Sequence, residues 1–228
     1  MLVSANAEWA AARSLYPDMK CEHSPFGEYF TMEVPIAGAA SRSILVFHGG
    51  WGKISAAAST QYVIDRWDPY VLINLGTCGG FAGSVERGTI ILADRTVIYD
   101  IIERMGDADD AISGYTMDID LSWLKTVPPV EVLRTTIISA DQDIDPNAIP
   151  ILKKKLGAIA ADWESGAIAY VAQKNRKRLL ILRGVTDLVG QRGGEAYGKI
   201  EVFEKASRSM MKRLFADLPA WLKIIPAP

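Results

Sequence analysis

Short, almost continuously apolar runs alternate in this 228-residue chain with stretches whose apolar residues recur at helical spacing. That alternation restricts the chain to a sheet covered by helices. The strand-sized runs are residues 2–5, 29–36, 44–48, 71–74, 89–99, 132–139, 158–161 and 179–185. Several lack polar alternation, as strands covered on both faces do. Residues 54–67, 148–156, 164–175 and roughly 197–222 read as helices, the last with Ile200, Phe203, Met210, Leu214, Leu218 and Trp221 on one stripe. The pattern predicts an α/β/α sandwich around a mixed sheet. Since 49% of residues are hydrophobic and no repeat or Pro/Ser-rich linker divides the chain, residues 1–228 are expected to form one domain.

Composition excludes several functions. A net charge of −2 and the lack of a basic run leave no footprint for nucleic acid. No apolar run is long enough for a membrane span, and Met1-Leu2-Val3-Ser4 enters a strand with no basic segment before it, unlike a secretion signal. Cys21 and Cys78 are too few and too far apart for a metal cluster or redox motif, so a reducing cytoplasm is expected. With only His23 and His48, a histidine zinc site is not expected either. Chemistry must then run on carboxylates, hydroxyls and backbone dipoles, with neither metal nor organic cofactor.

In sheets of this kind ligands sit beyond the carboxyl ends of strands. Four such ends carry polar or glycine-rich turns: Ser4-Ala5-Asn6-Ala7-Glu8, Asn74-Leu75-Gly76-Thr77-Cys78-Gly79-Gly80, Asp162-Trp163-Glu164-Ser165-Gly166 and Arg183-Gly184-Val185-Thr186-Asp187. Each has an ordinary reading by itself. Glu8 reads equally as a first-turn helix acid, the glycines as a tight turn, Trp163 as core and Thr186-Asp187 as a cap. Gly52-Lys53 is not a phosphate loop, because Phe47 stands five residues before Gly52 and Ile54 follows Lys53. The run from Gly76 also lacks the spacing of a dinucleotide fingerprint.

Taken in order, the same segments resemble the purine nucleoside phosphorylase superfamily, in particular its 5′-methylthioadenosine/S-adenosylhomocysteine nucleosidase branch. Gly50-Trp51-Gly52-Lys53-Ile54-Ser55-Ala56-Ala57 is similar to G-I-G-K-x-x-A-A, and Asn74 to Gly80 is similar to N-T-G-S-A-G-G. Asp162-Trp163-Glu164-Ser165-Gly166-Ala167-Ile168-Ala169 resembles E-M-E-x-x-A-I-A, and Arg183 to Asp187 resembles R-x-I-S-D. The resemblance implies a partly barrel-like central sheet and an N-glycosidase that releases a purine from its nucleoside. It gives Asp187 the general acid's place and Glu8 that of the carboxylate activating water, with Arg183 and Thr77 fixing that water. Glu164 corresponds to the acceptor of the ribose hydroxyls, and Trp163 stands where a methionine packs on the sugar. Cys78, Gly79, Asp143, Ile144 and Thr186 fall along the base. A leaving purine needs a proton, so Asp187 must hold one near neutral pH.

Water is preferred over phosphate as the attacking group. Phosphorylases of the superfamily use an arginine just before the glycine turn and another in an N-terminal G-D-P-x-R loop; this chain has Asn74 and the segment Asn6-Ala7-Glu8-Trp9. A dianion needs cations or N–H donors, and Glu8 repels it. Two departures bear on substrate choice: Asp143 replaces a phenylalanine that stacks on the purine, and Asp162 replaces a glutamate. Either Asp143 alters the accepted base, or it faces solvent while Ile144 and backbone groups meet the base. The resemblance also implies a homodimer whose partner subunit borders the 5′ group through the segment after Tyr99-Asp100. Gln191-Arg192-Gly193-Gly194 reads as a lid, with Arg192 placed to meet an anionic group. Other 5′-modified purine nucleosides, such as futalosine or 5′-deoxyadenosine, stay open as substrates, as does a non-catalytic nucleoside-binding protein.

Overall fold

A computed structural model describes residues 1–124 and 126–226. Strand β1 (Leu2–Val3) leads at once into helix α1 (Asn6–Leu15), followed by β2 (Glu22–Ser24), β3 (Gly27–Ile36), β4 (Ala39–His48) and α2 (Gly52–Trp67). Next come β5 (Val71–Phe81), β6 (Ile90–Ile98), α3 (Ala108–Ser113), β7 (Thr116–Asp118) and β8 (Leu133–Ser139). The remainder is α4 (Ile149–Leu156), β9 (Ala160–Asp162), α5 (Ser165–Lys174), β10 (Arg178–Gly190), β11 (Gly193–Gly194) and α6 (Ile200–Ile224).

All eleven strands join one mixed sheet. Five of them, β10, β6, β8, β9 and β5, close into a ring, because β10 pairs with both β6 and β5. Closure leaves these strands with no free edge. β1 and β4 extend the sheet in parallel from β5, and the long hairpin β3–β4 forms its outer part. The apolar runs explain the burial: Leu179 to Leu182 on β10 and Ile90 to Ala93 on β6 are all under 5% exposed.

The glycine-rich segment after Asn74 is not a turn. It continues β5 to Phe81, pairing along β10 from Val71↔Arg178 to Phe81↔Val189. Thr186 and Asp187 likewise belong to a strand, and a register shift between Val185 and Asp187 marks a bulge. The expected strand ends fall inside strands because the ring must curve tightly, and glycines and bulges permit that curvature. Helix α1, which the sequence suggests only through Glu8 as a first-turn acid, buries just Glu8, Trp9, Ala11 and Ala12 of its ten residues, too few to give an apolar period. The short strands β2 and β7 and helix α3 were also missed; none carries more than one buried residue.

Helix α6 covers one side of the ring, burying Met210, Met211, Leu214, Phe215, Leu218, Trp221 and Leu222. Its contact with β10 requires Gly184, where any Cβ would overlap the Met210 side chain. No described helix is long and apolar enough to cross a membrane.

Candidate active site

A cavity of about 690 Å³ opens at one end of the ring, bordered by β5, β9, β10 and the starts of α1, α2 and α6. Nine residues expected at the site line it: Glu8, Thr77, Cys78, Gly79, Asp143, Ile144, Trp163, Glu164 and Asp187. Arg183 and Thr186 do not line it but stand directly behind those that do.

Arg183 is fully buried and serves as the hub. Its Nε lies 2.9 Å from Asp162 Oδ2, its Nη1 3.5 Å from Glu8 Oε1 and its Nη2 3.5 Å from Glu164 Oε2. It also donates to Asn74 Oδ1 at 2.9 Å and to the Thr77 carbonyl at 3.3 Å. Three carboxylates leave the hydrophobic interior tolerable only because one guanidinium meets them all. Asp162 is committed to this scaffold: it accepts from Ser139 Oγ at 2.5 Å, from Ser165 Oγ and from the Ser165 N–H.

Glu8 is held from three sides. Oε1 accepts the Thr77 N–H and hydroxyl, the latter at 2.9 Å, while Oε2 accepts the Ala5 N–H at 3.2 Å. Ala5, as N-cap of α1, has no side-chain acceptor, so Glu8 satisfies that helix end as well. Both expectations for Glu8, first-turn helix acid and cavity carboxylate, are met by the same residue. Gly76 makes the approach possible: a Cβ there would overlap the Arg183 guanidinium and lie 2.8 Å from Glu8 Oε1.

Asp187 faces the cavity from the β10 bulge. Burial raises its carboxyl above the usual range; donation from Thr186 opposes this, and the charges of Glu195 and Asp143 reinforce it. Such a carboxylic acid keeps its proton to higher pH than an exposed one. Glu164 is also raised by burial, with Arg183 pulling down and Glu8 and Asp162 pushing up. Its Oε1 accepts the Gly52 N–H at 3.3 Å, from the positive end of α2.

The cavity's other walls contain residues not anticipated from sequence. Trp51, the N-cap of α2, stacks on Trp163 with ring centroids 4.6 Å apart, and both line the cavity. The N-terminus of α2 is tied to the segments that follow β6 and β8 by a closed cycle. The Lys53 N–H donates to Asp141 Oδ1 at 2.8 Å, the Asp141 N–H donates to Asp100 Oδ2 at 3.0 Å, and Asp100 pairs with Lys53 Nζ. Tyr197, Lys199, Ile200 and Phe203 close the mouth from the segment entering α6. The motif comparison already contained Trp51, whereas Tyr197, expected to open the last helix, precedes it, since α6 begins at Ile200, and is brought to the cavity by the β10–β11 pairing. Arg192 is exposed and lies outside the cavity lining; residues 191–192 form the tip between β10 and β11.

Among the described residues lining the cavity, Lys199 is the one cation, against Glu8, Asp143, Asp162, Glu164, Asp187 and Glu204. Among the described residues, no group of three or more His, Cys, Asp or Glu is arranged to hold a metal ion.

Comparison with known proteins fits this geometry. The sequence model of the phosphorylase superfamily matches residues 3–218. The chain is 29% identical over 168 residues to a 5′-methylthioadenosine/S-adenosylhomocysteine nucleosidase of Buchnera aphidicola, covering 69% of this chain and 72% of that protein. A nucleosidase of the same name from Thermotoga maritima is also 29% identical, over 157 residues, with 68% and 71% covered. Among solved structures, the 5′-methylthioadenosine/S-adenosylhomocysteine nucleosidase of Helicobacter pylori superposes with a TM-score of 0.74 at 17% identity, covering 95% of this chain and 96% of that one.

Proposed function

The chain belongs to the phosphorylase superfamily, and we propose that it is an N-glycosidase that hydrolyses a purine nucleoside, 5′-methylthioadenosine or S-adenosylhomocysteine being the leading substrates. The observation that carries this reading is the placement, in one cavity, of the buried Asp187, whose carboxyl burial pushes up, with a Glu8 held by Thr77 and Ala5.

A nucleoside bound with its purine toward Asp187 and its ribose hydroxyls toward Glu164 presents the glycosidic carbon between the two acids. Asp187 delivers its proton to the departing base, which removes the charge a purine anion would carry. Glu8 accepts the proton of a water that adds to the cationic sugar carbon, and Glu164 holds the sugar hydroxyls. Thr77 and Arg183 act through Glu8, fixing the direction of its lone pairs. The stacked Trp51 and Trp163 supply the sugar's apolar wall.

Water is favoured over phosphate by charge. A phosphate dianion beside Glu8 would need cations, but Arg183 is spent on three carboxylates behind the wall and Lys199 stands at the mouth.

We also read the molecule as a homodimer of the cytoplasm. Trp51, Ile54, Ile102, Met105 and Ile200 are all more than half exposed. They occur at the cavity mouth, in the first turn of α2 and in the segment after Asp100, an apolar rim suited to a second copy. The free Cys21 and Cys78 suit a reducing compartment.

The test incubates the protein with methylthioadenosine, adenosylhomocysteine, 5′-deoxyadenosine, adenosine, inosine and futalosine, with and without phosphate. Adenine released from the 5′-thio nucleosides independently of phosphate is expected. Release that requires phosphate would make the protein a phosphorylase, and no release from any substrate would make it a binding protein.

A further inference from the structure

The N-cap of helix α2 is Trp51, which offers no side-chain acceptor to the amide hydrogens of the first turn. Two acids from other segments take that place. The Gly52 N–H donates to Glu164 Oε1 at 3.3 Å, and the Lys53 N–H donates to Asp141 Oδ1 at 2.8 Å. We propose that Lys53 is a positioning residue for the ribose: through Asp141 and Asp100 its ammonium fixes the end of α2, and that end fixes the carboxylate of Glu164. This rests on the reading above, in which Glu164 accepts the ribose hydroxyls.

The linkage is close at each step. The Lys53 side chain is 20% exposed; its Nζ pairs with Asp100 and stands 3.8 Å from Asp141 Oδ2. The Asp141 N–H donates to Asp100 Oδ2 at 3.0 Å, so two acids from the segments after β6 and β8 share one cation. Gly52 has a φ of +83°, a conformation that suits glycine, and a Cβ there would lie 3.0 Å from Asp141 Oδ1. Asp141 is therefore packed against the residue whose N–H reaches Glu164. Without the ammonium, Asp100 and Asp141 would face each other as uncompensated like charges. Asp141, 37% exposed against 16% for Asp100, is the one with room to swing into solvent. Its departure releases the Lys53 N–H and, one peptide away, the Gly52 N–H.

Glu164 then loses both orientation and charge. Burial, with Glu8 of α1 and Asp162 of β9, pushes its carboxyl toward the protonated form, while Arg183 of β10 and the Gly52 N–H pull it back. A protonated Glu164 has less acceptor capacity for two ribose hydroxyls. Losing the Gly52 donation raises the carboxyl further, so the ionised form gives way at a higher pH.

The experiment compares the parent protein with Lys53→Met, which keeps an apolar stem of similar length, and with the double variant Lys53→Met, Asp100→Asn. Calorimetry measures binding of 5′-methylthioadenosine and of its 2′,3′-dideoxy counterpart, with Asp187→Asn in every protein to suppress turnover. The parent is expected to bind the ribonucleoside roughly 10-fold or more tighter than the dideoxy form, and Lys53→Met to cut that margin to about 3-fold or less. Affinity for the dideoxy form should change by less than about 2-fold, which also reports an intact fold. As pH falls, the margin should fade at a higher pH in Lys53→Met than in the parent, a shift that looser packing alone does not produce. Asp100→Asn removes the opposing charge and should restore most of the margin. Equal losses for both ligands, or an unchanged margin in Lys53→Met, would overturn the assignment, as would a double variant no more selective than the single one. A parent with no preference for the ribonucleoside would overturn it together with the ribose role of Glu164. Selectivity lost in Lys53→Met, in a protein whose form with Asp187 intact cleaves no nucleoside, would instead remove the hydrolase reading and keep Lys53 as the residue that positions Glu164.

Discussion

Thr186 Oγ1 donates to Asp187 Oδ1 at 3.0 Å while lying 3.4 Å from the Cys78 carbonyl. One hydroxyl proton faces two acceptors. When Asp187 is ionised the proton is best spent on the carboxylate; when Asp187 is protonated, Thr186 is free to turn to Cys78. The hydroxyl therefore favours the charged form of Asp187 and opposes the upward push of burial. Thr186→Val keeps the shape and removes that donation, so the pKa of Asp187 should rise further. A hydrogen bond to a charged group is worth about 1.5–3 kcal/mol, and one pKa unit about 1.4 kcal/mol. The alkaline limb of the kcat/KM profile, where the acid loses its proton, should move up by about one pH unit. A limb that stays put or moves down would show that Thr186 does not tune the acid.

Asp187→Asn removes the proton donor and little else, since the amide still accepts from Thr186. Single-turnover cleavage should slow by roughly 10²–10⁴-fold, the usual worth of a general acid. Affinity for a non-hydrolysable nucleoside should change much less. Wild-type kcat/KM should decline as pH rises through the raised pKa of Asp187, and the variant's small residual rate should lack that decline. Equal turnover in both proteins would remove Asp187 from the chemistry.

Arg183→Met leaves Glu8, Asp162 and Glu164 buried with their shared cation gone. Removing one partner of a buried ion pair costs about 3–5 kcal/mol, and here three acids lose it together. Denaturant unfolding should show a loss of at least that size. Adding Asp162→Asn should recover part of it, because one uncompensated charge disappears. A double variant no more stable than the single one would mean that Asp162 is not the charge that Arg183 neutralises most directly.

The sheet-and-helix alternation was legible because buried strands must be apolar runs, and seven of the nine cavity residues lie in the four polar strand-end segments. Asp143 and Ile144 lie in none of them and were placed only by the resemblance. What escaped the sequence depends on closure of the ring. Nothing local distinguishes a glycine turn after Asn74 from a glycine-rich strand bending into a barrel; only the pairing of β5 with both β9 and β10 decides it. Tyr197 escaped for the same reason, since the β10–β11 pairing carries it to Ile144, 53 residues away in sequence. Arg183 was expected beside the water, yet its full burial among acids makes it the wall's support.

Gly76→Ala tests whether the tight approach of Glu8 to Arg183 is the reason for the glycine. The new methyl would overlap the guanidinium and press on Glu8 Oε1, so one of the two must move. Neither has room, because both are fully buried and each is tied to several partners. Overpacking of this kind costs about 1–3 kcal/mol, and in a chain of this size each kcal/mol lowers Tm by about 2–4 °C. A fall of roughly 2–12 °C is therefore expected by calorimetry. Turnover should fall by more than stability explains, since a displaced Glu8 no longer directs water at the sugar. Substrate KM should change less than kcat, because of the substrate contacts only Glu164 is tied to Arg183. A variant with wild-type Tm and kcat would show that the interior beside β5 is looser than the packing of these two side chains requires.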